Sequence, residues 1–128
     1  MADVMIAITI KQPWASAIAY GHKTIENRTW RPALSRLPMR IAIHAGMSVD
    51  PGGLEFLDKH GIKLPDLPTG AIVAVATLFD VVEASVDLWW SGPYGWRLRE
   101  VVRVEPVACS GARGLWVPPR SVLRRLPP

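Results

Sequence analysis

The segment Gly21-His22-Lys23-Thr24-Ile25-Glu26-Asn27-Arg28 holds the densest cluster of polar chemistry in the chain. A fully solvated loop has no need of such a mixture, and a buried strand cannot tolerate it unpaired. Lys23 supplies a cation next to a helix end. Glu26 can take a proton or accept a hydrogen bond from an exocyclic amine. Arg28 offers a planar fork that matches a phosphate or a base edge. Residues 23–30 contain no glycine or proline and end just before Arg31-Pro32, so they read as an extended strand. A period of two then places Thr24, Glu26, Arg28 and Trp30 on one face, with Ile25, Asn27 and Thr29 on the other. Glu26 and Arg28 either grip a ligand together or form an ion pair that braces the strand; charge pattern alone leaves both open.

Aromatic residues are the second chemical resource. Six tryptophans (14, 30, 89, 90, 96 and 116) outnumber the two Phe and two Tyr combined. Most are expected in the core, because indoles bury large areas, yet aromatic platforms also stack single-stranded bases. Trp30 is the first candidate for stacking, since it shares the face of Glu26 and Arg28. Tyr94 and Trp96, which flank Gly95, come next. His44, at the end of MRIAIH, reads as a satisfied histidine near a strand end and is kept as a candidate contact.

Other templates are missing. His22, His44 and His60 lack ligand spacing, and one cysteine completes no zinc site with them, so neither metal nor cofactor is expected. There is no Walker loop, dinucleotide fingerprint or nucleophile elbow; Gly52-Gly53 and Gly92-x-x-Gly95 read as ordinary turns.

Length and composition set the frame. The 128 residues suit one domain spanning 1–128, and 49% hydrophobic content is globular rather than disordered. The single Cys109 forms no internal disulfide, which suits a reducing compartment. No apolar run reaches membrane-spanning length, and MADVMIAITI carries Asp3 without a basic cluster, so cytoplasm is the expectation. The net charge of +4 is unevenly spread. Residues 65–96 hold four acids and no Lys or Arg, whereas residues 97–128 hold seven Arg against two acids. A basic front half and an arginine-rich end fit an anionic partner, and equally fit arginine used as a solubilising residue.

The elements that must position these residues follow from pattern. Met5–Ile10 reads as a buried strand, and Pro13 as the first residue of a helix through Trp14, Ala17 and Ile18 that stops at Gly21. Met39–His44 is a strand. Asp50-Pro51 caps and starts a second helix through Lys59, closed by Gly61. Gly70–Glu83 is the most strongly β-forming stretch, long enough to require a bend or bulge. Trp96–Glu105 alternates apart from a register break at Glu100-Val101-Val102. Ala112–Val117 is a last short strand, and Pro118–Leu126 a terminal helix. Five to six strands with two to three short helices define an α+β, mainly β chain: a small closed or partly closed β-barrel with helices at its side.

Three stretches, taken in order, resemble the ASCH family (activating-signal-cointegrator homology) of the PUA-like superfamily. They are Ile10-Lys11-Gln12-Pro13-Trp14-Ala15; the G-x-K-x-x-E-x-R signature of Gly21, Lys23, Glu26 and Arg28, followed by Trp30; and Tyr94-Gly95-Trp96 with the later Glu105-Pro106-Val107 and Gly111-x-x-Gly114-Leu115-Trp116. The chain is similar to single-domain bacterial and phage members. The resemblance implies a PUA-like barrel whose cleft binds RNA, single-stranded nucleic acid or a modified nucleoside. Lys23, Glu26 and Arg28 would lie in that cleft, with Gln12, Pro13 and Trp14 at its wall. It also implies two enzymatic alternatives. One bacterial branch hydrolyses N4-acetylcytidine with a lysine, a threonine and a distant glutamate. Lys23 matches the lysine, but Glu26 stands where the threonine would be, and the distant glutamate has no identified match. If the chain is such an amidohydrolase, Lys23 and Glu26 are its catalytic pair. Another member is a ribonuclease. A purely protein-binding domain is the third class, and it implies no affinity for nucleic acid even at low salt.

Overall fold

The computed structural model describes residues 4–128; Asp3 of the N-terminal decapeptide lies outside them. The elements run β1 (Ile6–Gln12), α1 (Trp14–Ala19), β2 (Ile25–Arg28), a 3-10 turn (Leu34–Arg36), β3 (Met39–Val49), α2 (Pro51–Lys59), β4 (Ala71–Val82), β5 (Tyr94–Ala108), β6 (Leu115–Trp116) and α3 (Arg120–Leu123). The six strands form one sheet in the order β2-β5-β4-β3-β1-β6. β1 and β3 pair in parallel, and the remaining neighbours are antiparallel.

The sheet curls into a half-barrel, as the length of β4 anticipates. Three register shifts separate β4 from β5, at Ile72/Ala74, Val75/Thr77 and Leu78/Asp80, and each inserts local twist and bend. Glu100 lies within the middle irregularity with φ 53, a left-handed conformation uncommon outside glycine. The break in alternation at Glu100-Val101-Val102 is therefore a bulge. Curling brings the first strand of the order toward the fifth: the Arg28 guanidinium on β2 donates from Nη2 to the Thr9 carbonyl of β1 at 2.7 Å.

Near-continuous apolar runs in β1, β3 and β4 arise because both sheet faces are covered. Ile8, Ile41, Ile43, Leu78 and Trp96 fill the concave side against Ala15 and Ile18 of α1. Ala7, Ala42, Ile72, Val75 and Val107 pack on the other face with Val122 of α3.

Several local expectations shift. β1 runs two residues past Ile10, so Gln12 closes the strand, and α1 starts at Trp14 rather than Pro13. Gln12 is fully buried with its whole amide engaged. Nε2 donates to Ser16 Oγ (2.8 Å) and the Pro68 carbonyl (2.7 Å), and Oε1 accepts from Ser16 N (2.9 Å). β2 is shorter than the expected 23–30, because the backbone N–H groups of His22 and Lys23 still donate to Ala17 O at the end of α1. Lys23 thus belongs to the helix terminus, which changes the face it shares.

Two glycine pairs do more than turn. Gly53 sits in the first turn of α2, where a Cβ would come 2.7 Å from Pro13 Cδ and 3.0 Å from the Trp14 ring. Its lack of a side chain lets α2 dock on the start of α1. Gly92 and Gly95 both lie under the Trp90 ring, and a Cβ at Gly95 would come within 2.7 Å of it.

Candidate functional site

Lys23, Glu26 and Arg28 form a linear charge relay at the concave mouth. Lys23 Nζ lies 3.6 Å from Glu26 Oε1, and Glu26 Oε2 lies 3.1 Å from Arg28 Nε. Lys23 Nζ also donates to the Ile25 carbonyl and sits 5.3 Å from the Trp14 ring centroid and 5.9 Å from that of Trp89. Lys23 and Glu26 are nearly closed off, at 4% and 8% exposure, while the Arg28 side chain keeps 25%.

Burial works against both charges of the inner pair. Loss of solvation lowers the Lys23 ammonium below the usual lysine range, opposed by the neighbouring Glu26 carboxylate. The same loss raises the Glu26 carboxyl, opposed by Lys23 and Arg28. Both shifts bring the two proton affinities closer together, which raises the share of free, nucleophilic amine and makes the carboxylate a better proton acceptor.

Two clefts open on this relay and share Trp14 and Glu26 as a common wall. The first, of about 400 Å³, is lined by Lys23, Asn27, Asp50, Phe56, Trp89 and Ser91 among others. Its aromatic corner is built from inclined rings: Trp14 lies 5.7 Å from Phe56 and 6.4 Å from Trp89, and Phe56 lies 5.5 Å from Trp89. Two side chains lock that corner. Asp50 accepts from Trp14 Nε1 at 2.9 Å and from Gly52 N at 2.9 Å, so one carboxylate fixes the indole and caps α2. The hydrogen bond from Trp14, with those from the α2 backbone, holds the Asp50 carboxyl below the usual carboxylate range. Asn27 donates to the Trp89 carbonyl (2.8 Å) and accepts from Ser91 N (2.9 Å) and Gly92 N (3.0 Å), tying the tryptophan loop to β2.

The second cleft, of about 770 Å³, is lined by Thr9, Lys11, Arg28, Trp30, Met47 and Arg113 among others. Trp30 is half-buried there and meets Trp96 edge-on at 5.0 Å.

The candidates from sequence divide accordingly. Lys23, Glu26, Arg28, Trp14 and Trp30 converge on the two clefts, and Pro13 lies buried behind Trp14. Thr24 departs from them: it is exposed and lines a separate depression with Phe79 and Arg97, because Lys23 rather than Thr24 turns toward Glu26. Trp96 is fully buried, and its indole N–H donates to Trp30 O at 3.1 Å. Tyr94 pairs with Arg28 in the β2–β5 ladder, lines neither cleft and carries Arg31 over its ring at 6.0 Å. His44 is buried between Thr9 Oγ1 (3.2 Å) and the Cys109 carbonyl (2.8 Å), away from Lys23. Asn27, Asp50, Phe56 and Trp89 escaped the sequence reading of the site. Only Asp50 carried a local signal, its capping position before Pro51. Among the described residues no three His, Cys, Asp or Glu side chains converge as a metal site.

The ASCH domain model matches residues 8–92, well over half of the chain, and the chain belongs to the ASCH family. The crystal structure of ASCH from Zymomonas mobilis is similar at a TM-score of 0.59 and 18% identity, over 94% of this chain and 92% of that one. A tyrosine-to-phenylalanine mutant of the same protein gives a TM-score of 0.57 at 17% identity, with 95% of each chain covered. At such identities the likeness carries the fold alone; membership of the ASCH family, a PUA-like fold family, is consistent with nucleic-acid binding. No curated protein matches the chain in sequence.

Proposed function

We propose that this chain binds single-stranded nucleic acid, RNA in the first instance, by admitting one base to the cleft walled by Trp14 and Trp89. The observation that carries the reading is an ionic pair, Lys23 and Glu26, at the floor of an aromatic-walled opening. An ammonium has three donors. One goes to Ile25 O and one faces Glu26, which leaves a third for a base carbonyl. Glu26 can accept from an exocyclic amine, and the rings supply stacking surface that suits any base. Fluorescence anisotropy with a short labelled RNA tests this. Lys23→Ala and Glu26→Gln are expected to weaken binding at least tenfold while circular dichroism reports a folded chain. Undiminished binding by both folded variants would refute the reading.

One arrangement favours a hydrolytic second reading: a lysine amine and a carboxylate 3.6 Å apart, both nearly closed off, at the edge of an open cleft. With N4-acetylcytidine as substrate, it predicts cytidine release that Lys23→Ala abolishes. Running the RNA from the binding assay on a denaturing gel reads out ribonuclease action in the same experiment. Intact RNA and no cytidine at high protein concentration would leave the binding function alone.

A further inference from the structure

The second cleft has a different chemistry from the first. Lys11, Arg28 and Arg113 line it, and among the described residues its one acid is Glu26, already matched by Lys23 and Arg28. Among the described residues neither Lys11 nor Arg113 has a carboxylate within ion-pair distance. Arg28 commits Nε toward Glu26 and Nη2 to Thr9 O, leaving Nη1 for a ligand.

The segment bearing Arg113 is anchored at several points. His44 Nε2 bonds the Cys109 carbonyl at 2.8 Å, and Cys109 N donates to Gly70 O at 3.1 Å. Gly111 packs so tightly that a Cβ would fall 2.6 Å from Thr9 Oγ1 and 2.8 Å from the His44 ring. Trp116 Nε1 donates to that same Thr9 hydroxyl at 3.1 Å. His44 is thus a positioning residue: it holds the approach to Arg113 against β1.

We infer that the second cleft is a phosphate subsite: with one base in the first cleft, the adjoining phosphate crosses the Trp14–Glu26 wall to lie among Lys11, Arg28 and Arg113. The inference rests on the function proposed above and adds to it a separate phosphate subsite. A shared wall between a base-sized aromatic pocket and an acid-poor cationic trough is what a chain of nucleotides needs and a nucleoside does not. Trp30, on the trough side of Arg28, offers a surface for a second base.

The test compares cytidine, a cytidine dinucleotide and an eight-nucleotide RNA by calorimetric titration of the wild-type chain and of Lys11→Ala/Arg113→Ala. Both substituted residues are exposed, so the fold is expected to persist, and a melting curve checks it. Affinity should rise at least tenfold from nucleoside to dinucleotide. The double variant should forfeit most of that rise and leave nucleoside binding as it was. Its salt dependence should also be shallower, by on the order of 0.7 in log–log slope for each phosphate no longer neutralised. Equal affinity for nucleoside and octamer, or an octamer affinity unchanged in the folded double variant, overturns this inference and leaves the base pocket standing. Failure of all three ligands to bind the wild type removes both.

Discussion

Trp14 donates its indole N–H to Asp50 Oδ2 at 2.9 Å, joining the start of α1 to the start of α2 through one carboxylate. Asp50 Oδ1 meanwhile accepts from Gly52 N and caps α2. Orientation of the cleft wall and stability of the helix are therefore coupled. Asp50→Ala should destabilise the chain by about 0.5–2 kcal/mol, the usual effect of losing such a cap, and should weaken RNA binding because the ring is no longer tethered. Because the folded Asp50 carboxyl lies below its unfolded value, its contribution is present above the unfolded pKa and fades as pH falls through the folded one. Thermal melts from pH 7 to pH 2 should accordingly show a smaller acid-induced loss for Asp50→Ala than for wild type.

Asn27 fastens the loop that carries Trp89. Removing its amide breaks three hydrogen bonds at once, each typically contributing about 0.5–1.5 kcal/mol. Asn27→Ala is expected to reduce binding by tenfold or more, with a moderate fall in Tm and no change in net charge. Asn27→Asp keeps an acceptor for Ser91 and Gly92 and loses the donor to Trp89 O, so its loop should be better held than in Asn27→Ala. Protection of the Ser91 and Gly92 amides in hydrogen exchange separates the two variants.

The Lys23–Glu26 pair predicts two opposite pH slopes in stability. The folded Lys23 pKa is lowered, so between that value and the unfolded 10.5 the unfolded chain binds more protons and stability rises with pH. The folded Glu26 pKa is raised, so between the unfolded 4.5 and that value the native chain binds more protons and stability falls as pH rises. Lys23→Met/Glu26→Gln should flatten both limbs of a urea-denaturation series across pH. Unchanged limbs would show that the pair titrates as it does in the unfolded chain.

Gly53 must stay without a side chain. Alanine is the better helix former by roughly 1 kcal/mol, so propensity alone predicts that Gly53→Ala stabilises α2. A Cβ placed 2.7 Å from Pro13 and 3.0 Å from the Trp14 ring predicts the reverse. A drop in Tm together with weaker RNA binding is expected; a rise in Tm would mean that α2 shifts without disturbing Trp14.

Much of this arrangement was legible in the residues, and the remainder was not for definite reasons. The buried strands β1 and β4 stand out because apolar runs reflect burial on both faces, and the bulge at Glu100 announced itself as broken alternation. The G-x-K-x-x-E-x-R segment marked the polar cluster, but strict alternation grouped Thr24 with Glu26. The chain is not yet strand at Lys23, whose N–H is held by Ala17 O, and so the lysine takes that place. Gly53 looked like a turn because the ring it must accommodate lies far away in sequence. Asn27 and Trp89 are 62 residues apart, and no local periodicity reports a contact that the pairing of β2 with β5 creates.

The most direct measurement is a nitrogen-15 NMR titration with a short single-stranded RNA, following the indole N–H signals of the tryptophans. Trp14 and Trp89 line the proposed base cleft, while Trp96 is sealed in the core. A base entering the cleft against Trp14 and Trp89 should shift those two signals in a saturable manner and leave Trp96 nearly still. Saturable binding with both unmoved, and backbone shifts gathered instead around Arg97 and Arg99 on β5, would contradict entry of a base at this cleft.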